Sequence, residues 1–248
     1  MSIFKRGRSG SGGLAFGFFA LAAALVYTGA PHATADADVL YNPSTWNNKK
    51  IYLSAAWHTA DTGARGECSP GGTARAERTM ARNVGDQIAD YNNNTLGWYG
   101  LIQRGYKVRL GRGTPTENAS RSNTWAASAH IPLHSNAGTA SGTCASRTGS
   151  SRGTWEIYRA GEGTGLPNAI RSAVGPQSPG TNDQTCTITG CTSFSCLEEL
   201  CAIDAPHASY SETEFHDWNA GITFLTTDRA TWTWRFAGGI DSFFGYPR

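Results

Sequence analysis

Charge is scarce in this sequence and nearly balanced in sign. Among its 248 residues, 21 are Lys or Arg and 19 are Asp or Glu, only 16% in all. Three of the basic residues, Lys5, Arg6 and Arg8, fall within the first 35 positions, which hold no acidic residue. The remainder therefore carries 18 basic against 19 acidic residues. Nucleic acids are bound by concentrated basic faces, so this balance argues against such a partner. Internal repeats, long linkers and a low-complexity tail are missing as well. No His-Glu-x-x-His run marks a metal site, and Ser211 has no nucleophile elbow around it, which leaves a Ser-His-Asp hydrolase with little support.

Long apolar runs are also absent, with one exception. Leu14 to Ala30 is apolar, interrupted only by small or weakly polar residues, follows the basic start, and precedes the small residues Ala33-Thr34-Ala35. This pattern reads as an export signal over residues 1–35 with cleavage near its end; an uncut N-terminal anchor is the alternative. Either way the rest of the chain faces the outside. About 213 residues then remain, enough for a single domain with a substantial core.

All six cysteines, at positions 68, 144, 186, 191, 196 and 201, lie in the exported part. An even number in an oxidising compartment favours disulfides. The last four recur every five residues, unlike the paired spacing of structural zinc sites.

Residues 36–50 are polar and read as a lead-in to a domain spanning 51–248. Ile51-Tyr52-Leu53 opens an apolar strand ending near Trp57. Ala76, Met80, Val84, Ile88 and Ala89 recur at helical spacing within residues 74–96. Strands are expected at 106–110, 130–134, 155–158 and 208–210, and helices at 118–127, 166–174 and 228–243. The stretch 181–201 is expected to be irregular and stapled. Strands alternating with helices predict an α/β fold, a mostly parallel twisted sheet flanked by helices. In such sheets ligands gather beyond the carboxyl ends of the strands.

Three of those strand exits carry His58, His134 and the cluster Ser211-Glu212-Thr213-Glu214, while Glu77 lies on the helix after the His58 loop. Two imidazoles, one carboxylate and a position left for water form a usual set for catalytic zinc. The spacing is long, with 18 residues between His58 and Glu77 and 56 between Glu77 and His134, so spacing alone does not single them out. His130 shares a strand face with His134 and could approach the same site, although a packed strand histidine is the plainer reading. His216 reads as a rim or surface residue.

The order of these segments resembles the zinc-dependent N-acetylmuramoyl-L-alanine amidases, lytic enzymes of cell wall and spore cortex. The resemblance is carried by Ile51-Tyr52-Leu53, His58 with Asp61-Thr62-Gly63-Ala64, and Glu77. It continues through Gly105-Tyr106-Lys107-Val108-Arg109-Leu110 with Arg112, Arg121, and His134-Ser135-Asn136-Ala137. Ser211-Glu212-Thr213-Glu214-Phe215-His216-Asp217, and Gly238-Gly239-Ile240 with Phe244-Gly245, complete it. It spans about residues 50–246. It implies one zinc ion per chain held by His58, Glu77 and His134, with Glu212 as the catalytic carboxylate and Glu214 as the reserve candidate. Peptidoglycan is the implied partner, acted on outside the cell by a monomer without membrane contact once the signal is removed. Substrate-binding residues are not implied.

Two departures from the family pattern stand out. Ala55-Ala56-Trp57-His58-Thr59-Ala60 occupies the place of the family's Gly-His-Gly-Gly, without the usual upstream acidic residue to orient the imidazole. The cysteine-rich stretch replaces a simpler connection. Cys68 and Cys144 each follow a proposed histidine ligand by about ten residues, so a bridge between them is expected, with the other four cysteines stapling their own segment. Two rival functions remain open. One is a zinc peptidase cutting within the stem or cross-bridge; the other is a non-catalytic, disulfide-stapled wall-binding module. With near-zero net charge and no wall-binding repeat expected after the last helix, recognition is expected to rest on short-range contacts in the cleft.

Overall fold

The computed structural model describes residues 37–56, 77–136, 152–192, 194–216 and 218–246. A seven-stranded sheet forms its centre. In chain order the strands are β1 (Val39–Tyr41), β2 (Lys50–Ser54), β5 (Lys107–Gly111), β6 (Ala129–Asn136), β7 (Trp155–Tyr158), β8 (Gln184–Thr187) and β9 (Tyr210–Phe215); β3 (Asn92–Asn93) and β4 (Trp98–Tyr99) form a separate hairpin. Their order across the sheet is β1-β5-β2-β6-β9-β7-β8. The central four, β5, β2, β6 and β9, run parallel, whereas β1 and the β7–β8 pair oppose them. The expected α/β architecture with a mostly parallel sheet is present.

Parallel strands buried on both faces read as apolar runs, and β2 and β6 are buried almost throughout. One face, with Ile51, Leu53, Leu110, Ile131 and Leu133, is covered by α1 (Glu77–Asp90), α3 (Gly165–Val174), α6 (Asn219–Thr226) and α7 (Arg229–Phe244). Two glycines permit close approach there. A Cβ on Gly85 of α1 would stand 2.5 Å from Leu110, and one on Gly239 of α7 would stand 2.9 Å from the Ala169 carbonyl of α3. Buried Arg104 and Tyr106 both bond to Asp241 of α7, at 2.8 and 2.9 Å, fixing the last helix to the sheet.

The other face, with Tyr52, Ile157 and Tyr210, is covered by α2 (Pro115–Trp125) and by the cysteine-rich segment. That segment is more ordered than expected. It contains β8 and the short helices α4 (Ile188–Cys191) and α5 (Glu198–Cys201), and is closed by Cys186–Cys191 and Cys196–Cys201 disulfides. The four cysteines staple their own segment, as expected; Cys68 and Cys144 lie outside the described residues.

Several boundaries differ from expectation for local reasons. The polar lead-in contributes an edge strand, β1, paired with β5. Helix α1 stops at Asp90, before an asparagine run in which Asn93 Oδ1 accepts from the Leu96 N–H at 3.1 Å. Asparagine side chains compete in this way with helical hydrogen bonds. Helix α2 begins at Pro115, ahead of the expected start, because Thr114 and Glu117 form a capping box with proline in the first turn. Helix α6 was not expected, and β9 runs on to Phe215, so Glu212 lies within a strand and not beyond its exit.

Candidate active site

Strands β2, β6 and β9 end at the same edge of the sheet, and α1 begins there. His58, with Trp57 and the loop bearing the altered motif, lies outside the described residues. Glu77 and His134 do meet. Glu77 is the first residue of α1, where the helix dipole favours a negative charge. Its Oε1 lies 2.8 Å from His134 Nδ1 and 3.3 Å from the Ser135 N–H.

His134 is buried in β6 and confined on three sides. Beyond the Glu77 contact, its Nε2 stands 3.4 Å from Glu199 Oε2. The Tyr210 ring lies parallel to it at 4.5 Å between centroids. Burial alone would lower the pKa of this imidazole, but its hydrogen bonds to Glu199 and Glu77 outweigh that and raise it to about 10.

Glu212 pairs in register with His134 across the parallel β6–β9 ladder. Its Oε2 is buried without a hydrogen-bond partner among the described residues. Desolvation pushes the carboxyl up to about 8; Glu77 and Glu156 add to the rise, and His134 opposes it. A carboxyl poised near neutrality can take up and give back a proton.

Glu214 is elsewhere. Regular alternation would place it on the same face as Glu212, but β9 carries an extra residue, since Asn136 pairs with Phe215 and not with Glu214. Glu214 sits in this bulge at φ 61°. Its carboxylate accepts from the Ser178 hydroxyl, from the Gly180 N–H at 2.8 Å and from the Phe215 N–H at 3.2 Å. His216, expected near the surface, is buried, with Nδ1 2.9 Å from the Ser135 hydroxyl. Ser211 is also buried, and its hydroxyl donates to Glu156 at 2.7 Å.

One acidic residue at the site escaped the sequence reading. Glu199 of α5 reaches the sheet from the stapled segment and lies between two buried histidines, 3.4 Å from His134 Nε2 and 3.7 Å from His130 Nε2. The second distance is that of an ion pair and too long for a hydrogen bond. Ser54 donates to Glu199 Oε1. Burial would raise the Glu199 carboxyl, but His130 and His134 overcome it and hold the group down at about 2. His130 stacks on Tyr52 at 5.2 Å and, among the described residues, reaches the site through Glu199. Nothing in the sequence signals Glu199, apart from its position between two cysteines five residues apart.

Among the described residues, no three His, Cys, Asp or Glu side chains close into a cage for a metal ion. The imidazole nitrogen and carboxylate oxygen that meet at 2.8 Å are nevertheless donors of the kinds zinc takes. The Glu212 oxygen, which has no hydrogen-bond partner among the described residues, is suited to a water or a polar substrate group. Glu77 and His134 therefore have donors that fit zinc, while His58, the third expected ligand, lies outside the described residues.

No protein-family model matches the chain, and no curated protein sequence does. Solved structures do. Amidase AmiC2 of Nostoc punctiforme aligns over 80% of this chain and 98% of its own, with a TM-score of 0.59 and 15% identity. The catalytic domain of CwlV from Bacillus (Paenibacillus) polymyxa var. colistinus aligns over 79% and 96%, with a TM-score of 0.56 and 16% identity. Ami1 from Mycobacterium smegmatis aligns over 82% and 99%, with a TM-score of 0.56 and 14% identity. All three are described as N-acetylmuramoyl-L-alanine or N-acetylmuramyl-L-alanine amidases. The chain thus has the fold of the N-acetylmuramoyl-L-alanine amidase catalytic domains.

Proposed function

We propose that this chain is an exported, zinc-dependent hydrolase that cleaves the amide bond between N-acetylmuramic acid and the L-alanine of the peptidoglycan stem peptide. The observation that carries this reading is the alignment of His134 with Glu77 on one side and Glu212 opposite, at the carboxyl ends of the parallel strands. Ligand sites of open α/β sheets gather at that edge. The solved structures sharing the fold are named for the same reaction. The signal-like first 35 residues and the cystines favour export. No described helix is long and apolar enough to cross a membrane.

His58, Glu77 and His134 would hold the metal. Bound there, zinc supplies Lewis acidity that polarises a carbonyl and makes water a better nucleophile near neutral pH. The chain's own part is proton handling and orientation. Glu212 takes a proton from the attacking water and returns it to the amide nitrogen, which leaves as the free amino group of alanine. The first transfer needs the ionised form of Glu212, which His134 favours and burial opposes. Tyr210 keeps the His134 ring in plane.

Digestion of purified wall by the secreted protein tests the reading. Release of intact stem peptides bearing a free alanine amino terminus is expected, together with about one zinc per chain by elemental analysis. Cuts between amino acids of the stem would reassign the protein as a peptidase. Absence of both zinc and cleavage would make it a binding module.

A further inference from the structure

Within the proposed zinc site, the geometry points to Glu199 as a positioning residue that holds the proton of His134 on Nε2 and so leaves Nδ1, beside Glu77, as the nitrogen that meets the metal. The inference rests on the zinc reading of the site and adds a residue that the fold resemblance does not supply. A histidine that ligates through one nitrogen is oriented by an acceptor at the other, usually a carboxylate or a carbonyl. His134 has that division. Nδ1 faces Glu77 at 2.8 Å, and Nε2 faces Glu199 at 3.4 Å.

Glu199 is itself oriented. Its second oxygen accepts from the Ser54 hydroxyl, which accepts from Asn118 Nδ2 at 2.6 Å, while Asn118 Oδ1 accepts from the Gly113 N–H at 2.9 Å. The carboxylate is therefore the end of a buried polar chain running back into α2. A removable plug over the site would have a different setting. Leu200 beside it is fully buried in the core, and the Cys196–Cys201 bridge closes the turn. Thr116 donates to Glu198, and Asn123 Nδ2 donates to the Ala202 carbonyl at 2.9 Å. Helix α5 is fastened at both ends to α2.

The test uses Glu199→Ala and Glu199→Gln in the mature chain, with zinc affinity measured by chelator competition. The ring Nε2–H of His134 is followed by proton–nitrogen NMR in zinc-loaded and metal-free protein. Glu199→Ala should weaken zinc binding 10–100-fold, the usual effect of losing such a partner, and the slowly exchanging Nε2–H signal should vanish. Glu199→Gln, whose amide oxygen still accepts, should keep the signal and most of the affinity; this rescue separates positioning from mere folding. Unchanged affinity and an unchanged ring signal in Glu199→Ala would overturn the proposal. So would tighter zinc binding with higher activity, which would make Glu199 an occluding group. If wild-type protein takes up no zinc, the zinc reading fails; in that case retention of the Nε2–H signal in metal-free Glu199→Ala refutes the Glu199 contact itself, and its loss upholds it.

Discussion

Tyr210 and His134 lie face to face, their ring planes 6° from parallel and their centroids 4.5 Å apart. Because Tyr210 and Glu212 alternate along β9 onto the same face, the strand that presents the carboxylate also fixes the imidazole's plane. Tyr210→Phe retains the ring and should leave stability and zinc affinity close to wild type. Tyr210→Ala opens a cavity beside His134. It should cost about 3–5 kcal/mol, as other buried aromatic truncations do, and should weaken zinc binding. Urea unfolding with parallel metal titration checks both. Equal behaviour of the two variants would show that the stack has no part in holding the histidine.

Glu212 and Glu214 make a sharper contrast. Glu212→Gln preserves shape and removes the proton acceptor, so turnover should fall on the order of 10²–10⁴ with folding and zinc content intact. Glu214→Gln should affect stability more than turnover, since its carboxylate is bonded to Ser178, Gly180 and Phe215 away from His134. Rates on soluble wall fragments and melting curves of both variants give the answer. A dead Glu214→Gln beside an active Glu212→Gln would shift the catalytic role by two residues.

The sequence displays the central strands because burial on both faces writes itself as apolar runs, as in Ile51-Tyr52-Leu53. Helices α3 and α7 show their apolar spacing for a related reason. It displays β1 poorly, since three residues at an edge, one of them half-exposed Leu40, make too little pattern. The pairing of Glu77 with His134 is not written in spacing at all; fifty-six residues separate them, and only resemblance brought them together. The bulge that turns Glu214 away occurs without glycine, so no residue type announces it. Glu199 was invisible for a tertiary reason. The stapled segment crosses back over a sheet face, and no local period records where a crossing chain lands.

The two staples should not be equivalent. Each closes a loop with a sequence separation of 5, a small ring that contributes about 2 kcal/mol in chain-entropy terms. Replacing Cys196 and Cys201 together with serine should also loosen α5 and lower zinc affinity in the same direction as Glu199→Ala, by a smaller factor. Replacing Cys186 and Cys191 acts at the β8–α4 junction and should reduce stability without touching affinity. Chelator competition on the two double variants compares them. Equal affinities would mean that α2 alone holds Glu199 in place.

The last prediction concerns pH and uses the buried carboxyl behind the site. Glu156 is fully enclosed in β7, accepting from the Ser209 and Ser211 hydroxyls, and burial pushes its pKa up to about 8 against those two opposing hydrogen bonds. Its ordinary value is 4.5. Between these values the folded chain keeps a proton that the unfolded chain has released. The unfolded state then binds fewer protons, and stability falls as pH rises through this window. Below the ordinary value both states are protonated and nothing is lost. Glu156→Gln cannot ionise, and its amide can bond both serine hydroxyls, which rotate to suit. The variant should therefore lose stability less steeply than wild type from pH 5 to pH 8, with the gap between the two widening in the variant's favour. Melting temperatures of metal-free protein at the two pH values measure this directly. Parallel curves for the two proteins would show that Glu156 does not carry the proton its burial calls for.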